Sequence, residues 1–135
     1  MFKKIDSSKL KGYIIWLPMI RTDNRASADT EANAVSSDSR MTLWWNGDRS
    51  IGKAFAKTLG LRCSAWDVYL VYKPDRVWDE GQPPKPDFWM HQLGKHSGAD
   101  PSLCLNALVL QEQISKAIEN AESSSERQTA NFQSL

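Results

Sequence analysis

"WDVYLVYKPDRVWD", residues 66–79, is the stretch on which the fold turns. Its first half is β-branched and aromatic, the composition of a strand. "KPD" (73–75) then offers a proline whose fixed φ suits a turn. "RVWD" (76–79) follows as a short extended run. Together they predict a β-hairpin, with strand 66–72 paired to 76–79. Such a hairpin completes a mixed sheet if the preceding chain supplies a parallel pair.

Upstream, "GYIIWL" (12–17) is continuously apolar, the pattern of a strand buried on both faces, and Pro18 ends it. Ala28, Ala32 and Val35 recur at helical spacing and predict a helix over about 25–38. "MTLWW" (41–45) is a second strand. Asp48 offers an N-cap, Ile51, Phe55 and Leu59 form one helical stripe, and Gly60 stands where a left-handed residue ends a helix. Strand–helix–strand implies a right-handed crossover and a parallel pair. Downstream, "EGQPPKP" (80–86) reads as a stiff connector and "DFWMHQL" (87–93) as a short strand at a sheet edge. Asp100 and Pro101 read as the start of a last helix, with Leu103, Ala107, Leu110, Ile114, Ala117 and Ala121 on one stripe.

The expected architecture is α/β: a four-stranded mixed sheet in the order βαβ, helix, β-hairpin, helix, with helices on both faces. Residues 1–11 read as a flexible basic lead-in, 12–122 as the domain, and 123–135 as a disordered tail rich in Ser, Gln and Glu.

Bulk composition narrows the function. The 135 residues suffice for one core without metal or disulfide, and the 41% hydrophobic fraction is that of a globular chain. A formal net charge of +1, with both signs dispersed, argues against a nucleic-acid partner. The apolar runs are too short to span a bilayer, and "MFKKIDSSKLKG" (1–12) lacks the apolar region of a secretory signal. A cytoplasmic location is expected, with Cys63 and Cys104 as free thiols.

The order of elements resembles the thioredoxin fold. "GYIIWL" is similar to its first central strand, residues 48–79 to the helix, loop and hairpin that follow, and "QEQISKAIENAE" (111–122) to its closing helix. "WLPM", "AWDVYLVY" and "DFWMHQLG" more closely resemble a group of small bacterial thioredoxin-like proteins with no assigned activity. A thioredoxin carries Cys-x-x-Cys between its first strand and first helix. Here "PMIRTDNR" (18–25) holds no cysteine, so neither the attacking nor the resolving thiol exists at that junction. The family's cis-proline before the third strand aligns with Asp67, and a trans bond between Trp66 and Asp67 is expected. The resemblance therefore implies a non-redox binding or interaction module without a cofactor.

Its ligand would lie on a rim formed by the loop after the first strand and the segment before the third. Pro18, Arg21, Asp23, Asn24, Cys63, Trp66 and Asp67 are the candidates. Trp66 and Asp67 would give a pocket area and orientation, against the plainer reading that Trp66 covers the sheet end. Arg21 and Asp23 would meet a charged ligand at a helix N-terminus, against the plainer reading that Asp23 or Asn24 caps that helix. The alternative reading is an enzyme or redox-linked protein that uses Cys63 as a single thiol, although no base or partner stands beside it in sequence. His91 and His96 lack the spacing of metal ligands. Six tryptophans stand out, and adjacent Trp44 and Trp45 must face opposite sides of one strand.

A last helix starting at Pro101 would be longer than a small sheet needs. Cys104, Leu105, Leu108 and Val109 lie off its main stripe, so a homodimer through this helix is expected. The competing possibility is a helix that begins near Asn106, with "SLCL" (102–105) folded into the core.

Overall fold

A computed structural model describes residues 4–35, 37–74, 76–78 and 81–132, with the side chains of 34, 35 and 124–132 outside the description. The elements in chain order are β1 (Gly12–Trp16), α1 (Arg25–Val35), β2 (Met41–Trp45), α2 (Ser50–Leu59), β3 (Val68–Val71), β4 (Phe88–His91) and α3 (Ala107–Phe132). Single 3-10 turns lie at Lys95–Ser97 and Pro101–Leu103.

β1 and β2 pair in parallel, with Tyr13 opposite Thr42 and Ile15 opposite Trp44. That is the crossover unit expected from the apolar run at 12–17 and the helical spacing after it. Trp44 is 59% exposed and Trp45 partly buried, as the period-2 alternation of a strand requires. Tyr13, 67% exposed, shares the outward face with Trp44.

The hairpin is corrected. β3 pairs antiparallel with β4, Tyr69 opposite Met90 and Val71 opposite Phe88, and not with residues 76–79. Arg76–Trp78 instead folds back on α2, where the Trp78 ring meets Phe55 edge-on at 5.3 Å between centroids; Asp79 lies outside the described residues. The long connector is drawn in by two hydroxyls: Thr58 donates to the Pro83 carbonyl at 3.0 Å and Tyr72 to that of Pro84 at 2.8 Å. Asp87 clamps its end, accepting from the Lys73 amide and the Arg76 guanidinium. Those bonds bring 88–91, not 76–79, alongside β3.

The four-stranded mixed sheet is also corrected. Among the described residues the strands form two separate two-stranded sheets, β1–β2 and β3–β4. α2 joins them by packing rather than by ladder hydrogen bonds. The Gly52 Cα lies so close to Leu17, Ser64 and the Ala65 carbonyl that no Cβ fits there, and the Ala65 amide donates to the Gly52 carbonyl at 2.9 Å. The end of β1 and the segment before β3 therefore meet over one glycine.

α2 ends as expected, on Gly60 at φ 69°, with the Leu61 amide returning to Ala56. Its start differs. The residue before the first helical one is Arg49, itself left-handed at φ 60°, and the capping is done from further back. The Asp48 carboxylate accepts the Ser50 amide and the Asn46 side chain accepts that of Ile51. The bond from the Ser50 amide, the largest influence on Asp48, holds its carboxyl below the usual carboxylate range.

Asp100 caps the single turn at Pro101–Leu103, accepting the Ser102 amide at 2.9 Å. α3 begins six residues after Pro101, at Ala107, with Asn106 accepting the Leu108 and Val109 amides. The later start, near Asn106, is thus the observed one. α3 runs to Phe132, beyond the boundary drawn at 122. Its apolar stripe supplies Leu110 and Ile114 to a core with Met90 and Ile5. Leu105 and Val109 pack against that core, while Leu108 is 76% exposed and Cys104 is exposed. Ile5 and Leu10 bring the segment before Gly12 into the same core. The Arg40 guanidinium, paired with Asp38 at 2.6 Å, holds that segment by donating to the Ile5 and Ser7 carbonyls.

Candidate functional site

The loop after β1 satisfies itself. The Asp23 carboxylate accepts the Met19 and Ile20 amides at 2.7 and 2.8 Å. Asn24 caps α1 by accepting the Ser27 amide at 2.9 Å and donates to the Thr22 carbonyl. Pro18 is partly buried and Arg21 exposed. An anion approaching this helix N-terminus would meet an aspartate beside the cap, so the geometry speaks for capping rather than for a charged ligand.

The segment before β3 is shaped differently. Cys63, Trp66 and Asp67 are all exposed. Asp67 adopts φ 49°, a left-handed conformation uncommon outside glycine, and its carbonyl accepts the Gln92 amide at 2.9 Å. The described peptide bonds are all trans, including Trp66–Asp67.

Beside this segment lies a hollow of about 230 Å³ lined by Cys63, Trp66, Leu93, Gly94, His96 and Ser97. Of the expected rim, only Cys63 and Trp66 line this hollow. Pro18, Arg21, Asp23, Asn24 and Asp67 stay out of the lining. The other wall, 93–97, lies outside the expected rim. Its signal was available in the two glycines and the histidine of "GKHSG" (94–98), but it became a wall only through long-range bonds. The Arg62 amide donates to the Ser97 carbonyl at 2.7 Å, and the Arg62 side chain packs over Gly98, which stands at φ 79°.

A larger open groove of about 420 Å³ lies between the N-terminal segment and α3, lined in part by Asp6, Lys9, Glu119 and Glu122. Lys9 and Glu122 face each other across 3.9 Å, so part of its charge is internally answered. Among the described residues no group of three or more His, Cys, Asp or Glu stands together as a metal site. No helix among them is long and apolar enough to cross a membrane.

No family model, curated protein or solved structure matches the chain.

Proposed function

We propose that the chain is a non-redox binding module whose ligand surface is the hollow between Cys63–Trp66 and Leu93–Ser97. The hollow's size carries this reading. At about 230 Å³ it falls below the usual range of about 300–1,000 Å³ for small-molecule pockets. A single aromatic or aliphatic side chain fits such a space, which favours a partner protein over a metabolite. Trp66 and Leu93 offer apolar contact, and His96 offers a polar edge. A cytoplasmic location accords with two free, exposed cysteines.

Titration with indole and with 4-methylphenol, followed by amide NMR, tests the reading. Shifts confined to 63–66 and 93–97, lost in Trp66→Ala, are the expected result. Shifts spread over the surface, or none at millimolar probe, would remove it. A second reading draws on Cys63, whose exposed thiol lines the same hollow: a single-thiol enzyme. The two separate on Cys63→Ser, which leaves probe binding intact in a binding module and abolishes function in a thiol enzyme.

The homodimer through the last helix has a smaller basis than a start at Pro101 gave it, because Leu105 and Val109 face the protomer's own core. Its surface reduces to Leu108 and Cys104. Sedimentation equilibrium decides it: one mass near 15.3 kDa at all micromolar concentrations would end the proposal.

A further inference from the structure

His91 is the most deeply buried large side chain among the described residues, at 1% exposure, and nothing in the proposed binding role uses it directly. Its ring is bonded at both ends. Nδ1 lies 3.1 Å from the Leu93 amide, which can only donate, and Nε2 lies 2.9 Å from the Asp100 carbonyl, which can only accept. The two partners together assign the neutral tautomer with its proton on Nε2. The chain between these partners, 93–100, contains Leu93, Gly94, His96 and Ser97, four of the six residues lining the hollow. One imidazole thus pins both ends of the wall, while the bond from the Arg62 amide to Ser97 pins its middle.

We infer that His91 is a proton-sensitive latch on the wall of the hollow, closed when the ring is neutral and opened when a proton reaches Nδ1. This rests on the hollow's reading as a ligand surface only for its consequence; the latch is a property of the loop.

The argument is one of donors and acceptors. A protonated ring has two N–H donors and no acceptor. Nδ1–H would then face the Leu93 N–H, donor against donor, in a buried place where an unmade bond is costly. The Nε2 bond survives protonation. Among the described residues the Asp100 carboxylate, held by the Ser102 amide, is a charged group whose field reaches the ring, and it belongs to the residue whose carbonyl meets Nε2. The Trp89 ring packs at 5.6 Å between centroids and carries no charge, and Cys104 stands opposite His91 in a backbone bridge. A charged ring is therefore drawn toward Asp100, and the release falls on Leu93. The Leu93 end of the wall facing Trp66 is then released, while the Arg62 amide still holds its middle at Ser97.

Two measurements on the full chain test this. The first is ring ¹⁵N NMR with amide exchange, followed from neutral pH down to the onset of acid unfolding. At the upper end the His91 ring should show Nε2–H. Toward the lower end the protection factor of the Leu93 amide should fall at least tenfold, while that of Met90 holds. The second compares His91→Gln, whose amide can accept from Leu93 and donate to Asp100 without titrating. Its Leu93 protection should not vary with pH. In a Cys104→Ser background, the wild-type to His91→Gln ratio of Cys63 alkylation by iodoacetamide should rise as the pH falls; taking a ratio cancels the thiol's own titration. A ring proton on Nδ1, Leu93 protection independent of pH in the wild type, or equal pH dependence in His91→Gln would each overturn the latch. Because the ring and exchange data come from the unmodified chain, the result stands if His91→Gln does not fold. Failure of indole to bind would remove the ligand reading and leave the Leu93 result untouched.

Discussion

At the scale of single residues, side chains close the exposed amides at the starts of helices and turns. Asn24 caps α1 with its own side chain on an amide three residues later. Asp100 does the same two residues on. Such bonds need only neighbouring sequence. Tyr72 reaches further, donating to the Pro84 carbonyl twelve residues away. Burial, and then the charge of Asp87, pushes the Tyr72 phenol from 10.0 up to about 12. Below pH 10 folded and unfolded chains both hold this proton. Between pH 10 and about 12 only the folded chain keeps it, so stability falls as the pH rises through that window. Tyr69 shifts in the same direction, through burial and then the charge of Asp67. The urea midpoint should drop between pH 10 and about pH 12, and Tyr72→Phe should flatten part of that drop. An equal drop in both proteins would contradict this account of Tyr72.

At the scale of elements, β1, β2, α2 and their order follow from pattern, because apolar periodicity records which side of an element is covered. Where an element docks is another matter, and Gly52 shows it. Alanine is the better helix former by about 1 kcal/mol. Its Cβ would press on Leu17, Ser64 and the Ala65 backbone, and overpacking of that kind costs about 1–3 kcal/mol. Because one obstacle is backbone, the clash outweighs the propensity, and Gly52→Ala should lower the urea midpoint. A raised midpoint would mean that α2 does not seat on Leu17 and Ala65. The two faces of β2 give a second check. Trp44→Lys should alter stability by no more than about 0.5 kcal/mol, as expected of a surface position. Trp45→Lys should cost at least about 1 kcal/mol more, since it removes apolar area packed inward. Equal effects would mean that the strand's faces are assigned wrongly.

At the scale of the whole molecule, stability is unevenly placed. The core of Ile5, Met90, Leu110 and Ile114 ties the β3–β4 sheet to α3 and the N-terminal segment. In β1 and β2 every side chain is at least partly exposed, with Gly12 the one buried position. Hydrogen exchange should therefore find the amides of β4 and α3 slowest. Those of β1 should exchange at least tenfold faster, equivalent to about 1.4 kcal/mol in local opening. A continuous sheet would reverse this order, since β1 would then be a central strand. Slowest exchange in β1 would restore the single sheet and refute the two-sheet arrangement.

Residues 12–17, 41–45 and 51–60 carry their own structure, because hydrophobic period, proline and glycine act within a few residues of where they stand. The absence of Cys-x-x-Cys at 18–25 is likewise a fact of sequence, and with it the absence of dithiol chemistry at that junction. Strand partners were decided by tertiary structure alone. "RVWD" and "DFWMHQL" are both plausible mates for β3, and the choice between them fell to Thr58 and Tyr72, which reach Pro83 and Pro84 of the connector from far upstream, and to Asp87 at its end, which reaches back to Lys73. The hollow has the same origin. Cys63 and Trp66 are near neighbours in the chain, but their facing wall is held by one buried imidazole and one amide of Arg62, bonds that exist only once the chain has folded.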